Sequence, residues 1–153
     1  MGRKTIKKTY KDTYARGQVD KSEFQGRYFI KIELVSLKVL EDKDMLGNES
    51  EFYFKVGKWL HKHRIPQKGT INLEKNEVFQ PTDGLTLYTQ FIHKPERGTI
   101  MVPFHLRERD PLKVDDHIIR TKLSIPLGSS DYIVLVEKSV KIKLKISALE
   151  TRY

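Results

Sequence analysis

From Tyr28 onward, apolar and polar side chains alternate with a period of two, the pattern of a strand that buries one face and wets the other. Tyr28, Ile30, Ile32 and Leu34 share one phase against Lys31 and Glu33. The phase then slips, and Val35, Leu37 and Val39 alternate with Ser36 and Lys38. One long strand with a bulge near Leu34 accounts for both halves. A second strand begins with Phe52, Phe54 and Val56, a short third holds Ile71 and Leu73, and a fourth holds Leu85, Leu87, Thr89 and Phe91. Ile100, Val102, Phe104 and Leu106 form a fifth, where Pro103 predicts an edge position or a bulge because it lacks an amide hydrogen for a central ladder. Ile119, Thr121, Leu123 and Ile125 form a sixth. Tyr132 to Val136 is apolar throughout, which predicts a strand covered on both faces. Val140, Ile142, Leu144 and Ile146 make the last strand, alternating with Lys141, Lys143, Lys145 and Ser147.

Gly, Pro, Asn and Asp clusters separate these runs, and no stretch of ten residues carries a helical stripe. Eight short strands between turns predict an antiparallel sandwich or barrel. The 153 residues suit one domain of common size, 28–149, with a tail at 150–153. Residues 1–27 differ in kind. They hold eight Lys or Arg against Asp12, Asp20 and Glu23, a net of +5, so of the formal +9 the remaining chain carries only +4. A basic, flexible N-terminal arm of this sort, with Lys4, Lys7, Lys8 and Lys11, suits a polyanionic partner, either nucleic acid or anionic lipid.

Composition removes several classes. Without cysteine there are no disulfides, thiolate metal sites or cysteine nucleophiles. No run approaches the length of a membrane span, and the charged N-terminus is not followed by the apolar core of a secretory signal, so a cytoplasmic, at most membrane-peripheral, protein is expected. Abundant Lys and Glu with no Cys and three Met follow the trend of thermophilic proteins. G-x-S-x-G, H-E-x-x-H and phosphate-cradling glycine loops are missing, and the five histidines are scattered, so a non-enzymatic binding module is expected.

Acidic side chains gather in two connections. The first carries Asp42, Asp44, Glu49 and Glu51, and the second, RERDPLKVDDHIIRTKLSIPL, carries Glu108, Asp110, Asp115 and Asp116. Facing loops of carboxylates and free carbonyls suit calcium, which takes six to eight oxygen ligands, rather than zinc. LKVLEDKDMLGNESEFYFKV and the spacing of Glu108, Asp110 and Asp116 ahead of LSIPL resemble the C-two domain, the calcium- and phospholipid-binding sandwich of protein kinase C and synaptotagmins. The closing VKIKLKISAL resembles that family's last strand, so the resemblance runs in order through 28–149.

The resemblance implies an eight-stranded Greek-key sandwich whose calcium ligands would be Asp44, Glu51, Glu108, Asp110 and Asp116, with Asp115 a bystander. It departs from the family at Glu51 and Glu108, where aspartates are usual, and at Arg120, where a glycine is usual. It also implies calcium-assisted binding to anionic membrane. Apart from the resemblance, Lys141, Lys143 and Lys145 share one face of the last strand, either as edge-protecting lysines or as a basic surface adding electrostatic attraction to that membrane. Trp59 in KWLHKHR, which could be a core residue, suits interfacial or base-stacking contact. Nucleic-acid binding, or a structural assembly role for the arm, is the alternative.

Overall fold

The computed structural model describes residues 26–40, 49–59, 62–137 and 139–151. The arm lysines Lys4, Lys7, Lys8 and Lys11, and Asp44 of the first acidic connection, lie outside the described residues. Ten strands make two antiparallel sheets: β1 (Arg27–Val39), β2 (Ser50–Val56), β3 (His63–Ile65), β4 (Ile71–Leu73), β5 (Val78–Phe79), β6 (Leu85–His93), β7 (Thr99–Glu108), β8 (Asp116–Pro126), β9 (Ser130–Glu137) and β10 (Val140–Thr151). The first sheet runs β5-β1-β10-β9, with β6 also on β1, and the second runs β3-β2-β7-β8, with β4 also on β2. β5 and β6 share one side of β1, just as β3 and β4 share one side of β2. Each sheet is therefore four positions wide. Ten strands replace the expected eight because β3 and β5 are too short to show alternation.

The long first strand is bulged where its phase slips. Leu34 faces Leu144 and Ser36 faces Lys143, which leaves Val35 as the extra residue. The bulge lets Tyr28, Ile30, Ile32 and Leu34 enter the same core as Leu37 and Val39, all buried. Phe54 and Phe104 pack at 5.7 Å between ring centroids in the middle of that core, joined by Ile125, Ile142 and Leu144.

Two expectations are corrected by what lies beside each strand. Pro103 lies neither at an edge nor in a bulge, because β7 sits between β2 and β8, and the register shift on β8 comes at Leu106/Arg107. Pro103 is tolerated because β2 ends beside it. Its carbonyl accepts the Gly57 amide at 2.9 Å, and its nitrogen, on the same side of the strand, points past that end. The run Tyr132 to Val136 is not covered twice. β9 is a terminal strand that buries Ile133 and Leu135 but leaves Tyr132, Val134 and Val136 more than half exposed.

Candidate functional site

β7 and β8 form a hairpin whose loop is the second acidic stretch, with Glu108 opposite Asp116 at its base. Asp115, expected to be a bystander, is the hub of this loop. Its Oδ1 accepts the Asp110 amide at 3.0 Å and its Oδ2 accepts the Tyr53 hydroxyl at 2.5 Å. The Tyr53 hydroxyl, followed by the Asp110 amide, holds the Asp115 carboxyl below its usual pKa, while burial and that hydrogen bond push the Tyr53 phenol up. Asp110 closes a turn by accepting the Leu112 amide at 2.9 Å, and its other oxygen lies 3.8 Å from Lys113 Nζ. The Arg109 amide donates to the Glu51 carbonyl at 2.8 Å, which ties the loop to the start of β2. The start of β2 at Glu51 therefore lies against the second acidic loop, and Asp42 and Asp44 lie outside the described residues.

The Asp110 and Asp115 oxygens there are already engaged. Among the described residues no three His, Asp or Glu side chains gather in a form that could hold a metal ion. Both Asp110 oxygens serve the turn or Lys113, and both Asp115 oxygens accept protein hydrogens. The described residues alone do not fit a calcium cup.

The outer face of the second sheet carries the denser chemistry. On β2, Tyr53 and Lys55 alternate with the buried Phe52, Phe54 and Val56, so both point outward. Across the sheet Lys55 pairs with Arg64 of β3 and with His105 of β7, and His105 pairs in turn with Arg120 of β8. One row lower, Tyr53 pairs with Arg107, and Arg107 with His117. The Arg64 guanidinium stacks 4.3 Å from the Tyr53 ring centroid. Arg107 Nη2 lies 3.2 Å from His117 Nε2, and because arginine can only donate, His117 accepts there. The His105 and His117 rings meet edge to face at 5.8 Å.

These cations act on one another. Burial first, then Arg107, Lys62 and Arg64, hold the Lys55 ammonium below its usual pKa, with Asp115 acting weakly the other way. Burial, then His117, Arg107, Arg120 and Lys62, hold His105 below the ordinary histidine value. Arg107 Nε and His105 Nδ1 are buried without a hydrogen-bond partner among the described residues. This is an electropositive face short of acceptors.

The other singled-out residues lie elsewhere. Lys141, Lys143 and Lys145 stand on the outer face of the first sheet, across the sandwich. Trp59 is not a core residue. It is 82% exposed at φ 54°, just past the end of β2 farther from the acidic loop, beside a groove of about 560 Å3 lined in part by Tyr88, Ile92, Ile100 and Met101. Sequence reasoning named Lys62 and Arg64 only as neighbours of Trp59 and missed Lys55, His105, Arg107, His117 and Arg120 as a group. Their signal was present as cations at alternate positions in FYFKV and FHLRE, which by itself reads as the wet side of a strand.

No family model matches the sequence, and no curated protein is similar to it in sequence. Solved structures are similar in fold. The C-two A domain of plant extended synaptotagmin 1 aligns over 84% of this chain and 98% of its own, with a TM-score of 0.51 and 13% identity. Human group IVD cytosolic phospholipase A2, in complex with methyl gamma-linolenyl fluorophosphonate, aligns over 83% of this chain with a TM-score of 0.53 and 12% identity. The chain spans 18% of that phospholipase. The fold is a C-two-like antiparallel β-sandwich.

Proposed function

We propose that this C-two-like sandwich is a non-enzymatic module that binds anionic membrane surface through the outer face of its second sheet. One observation carries the reading. Lys55, Arg64, Arg107 and Arg120 stand at paired positions of four strands around His105 and His117, with Lys62 near enough to act on both Lys55 and His105. Mutually repelling cations gain by meeting phosphate oxygens, whose charge relieves the repulsion among them. The similar structures support the reading by kind, since one is a C-two domain of an extended synaptotagmin and another a cytosolic phospholipase A2. Each cation brought near an anionic leaflet contributes about 1 kcal/mol.

Calcium enters this reading as a test and not as a step. A calcium cup would need Asp44 together with Glu51, Glu108, Asp110 and Asp116, and the described members of that set do not converge on one point. The alternative of nucleic-acid binding or assembly through the basic arm rests on residues outside those described.

Vesicle flotation separates the readings. Phosphatidylserine vesicles should carry the protein with them and phosphatidylcholine vesicles should not, equally in EDTA and in calcium, with binding lost as salt rises. Retention on neutral vesicles, or no retention on anionic ones at about 0.1 M salt, would sink the proposal. Flotation that requires calcium would move the function to the acidic loops. Preference for single-stranded DNA in competition would favour the arm.

A further inference from the structure

The outer face of the first sheet makes a second site, independent of the membrane reading. β9 pairs with β10 on one side, and no strand of the described residues lies along its other side. The other three sheet sides carry features that discourage strand addition. β3 and β4 are three residues each. The side made by β5 and β6 is divided between a two-residue strand and one whose register shifts against β1. β8 contains a register shift, the exposed Arg120, and Pro126 at its end. β9 has none of these. Its eight residues, SDYIVLVE, hold no Pro, Lys or Arg, and they keep continuous register with β10.

The side chains around this edge specify what it would accept. Tyr132, Val134 and Val136 point outward and are 51–59% exposed, while Ile133 and Leu135 point inward at the rim of the core. Lys145, Lys143 and Lys141 stand directly beside Tyr132, Val134 and Val136 on β10. The Lys143 and Lys145 ammoniums lie 5.0 and 5.8 Å from the Tyr132 ring centroid, so the lysines of β10 and the outward ring of β9 share one surface beside the open edge. Lys38 extends the row behind Lys141. Glu33, beside Lys145, is bonded to Lys31 at 3.0 Å.

We infer that β9 is a strand-addition site for an extended segment of a partner protein in which acidic and apolar side chains alternate. The added backbone completes the ladder along the open edge. Its outward carboxylates face the lysine row of β10 across Tyr132 and Val134, and its inward apolar side chains cover the rim at Ile133 and Leu135. Charge complementarity decides the occupant. Residues 1–27 carry a net +5 and a second copy brings the same lysine row, so neither satisfies these ammoniums.

The test follows amide hydrogen exchange of β9 in the full chain. The probes are a capped peptide alternating glutamate and valine, its lysine-for-glutamate counterpart, and the glutamate peptide N-methylated along its pairing edge. The glutamate peptide should slow exchange along β9, the lysine peptide should bind at least about tenfold more weakly, and the N-methylated peptide should protect nothing. Replacing Lys141, Lys143 and Lys145 together with Gln, all on the outer face and outside the core, should weaken the glutamate peptide about tenfold at low salt. Equal binding of the glutamate and lysine peptides, protection by the N-methylated peptide, or absence of protection on β9 would overturn the inference. Concentration-dependent β9 protection without peptide would also overturn it, by giving the edge to a second copy.

Discussion

Neutralising charge on one outer face and then on the other tests where the membrane sits. Lys55 and Lys62 belong to the cation group of the second sheet and lie outside the apolar core, so Lys55→Gln/Lys62→Gln removes charge and spares the Arg64 stack on Tyr53. At about 1 kcal/mol per cation near an anionic leaflet, two losses amount to about 2 kcal/mol, or roughly thirtyfold in vesicle partition. The control is Lys141→Gln/Lys143→Gln/Lys145→Gln, which removes more charge from the opposite face. Packed sheets lie about 10 Å apart, and the side chains on both faces add to that separation, whereas the Debye length at about 0.1 M salt is near 10 Å. The far lysines are therefore screened, and the triple variant should keep its partition within about twofold despite its larger loss of charge. Flotation on phosphatidylserine vesicles at that salt reads both variants. Equal losses would mean that net charge, not a face, drives attraction, and a loss in the triple variant alone would move the membrane to the first sheet.

Three further outcomes are expected. Vesicle binding should strengthen as pH falls below about 6.5, because an anionic leaflet favours the His105 imidazolium that burial and then the neighbouring cations disfavour, and His105→Gln should flatten that rise. In the free protein the same depressed value has the opposite sign for stability: the unfolded chain takes up the proton first, so melting temperature should begin to drop as pH falls through the ordinary histidine value and drop less in His105→Gln. Asp115 is lowered by Tyr53, so its contribution is present above the unfolded carboxyl value and is lost as pH falls through its folded one. Asp115→Asn or Tyr53→Phe should remove that acid sensitivity and speed exchange of the Asp110 amide, and an unchanged Asp110 amide would refute the hub. Phe104→Ala, in the fully buried Phe54–Phe104 pair, should cost about 3–5 kcal/mol in urea unfolding with vesicle affinity unchanged once folded, and a cost under about 1 kcal/mol would contradict the packing.

The sandwich was legible because its evidence is local. Alternation in β1, β8 and β10 follows from the pleat, which turns successive side chains to opposite faces, and the phase slip at Leu34 locates the bulged Val35 without reference to any partner strand. The candidate site was much less legible. Asp115, Asp110 and Tyr53 meet only because β2 lies beside the hairpin of β7 and β8, and Tyr53 is 62 residues from Asp115. Lys55, Arg64, His105 and Arg120 form a single row only across four paired strands.

By itself, the sequence determined which side chains of β2, β7, β8 and β10 and of both halves of β1 face the core, where the chain turns, and that cations alternate with apolar residues; it did not for β9, nor for β6, whose register shift buries Tyr88 and leaves Phe91 exposed. These depend on backbone geometry and on the preference of each side chain for water or burial. Only the tertiary structure decided which strand lies beside which. That placed Pro103 inside a sheet, left Val134 and Val136 on an open edge, and gathered the second sheet's cations into one face. The physical reason is that pairing is non-local. A pleat sets the direction of a side chain within two residues, but its neighbours, and with them its charge environment and exposure, come from strands that the chain reaches only after folding.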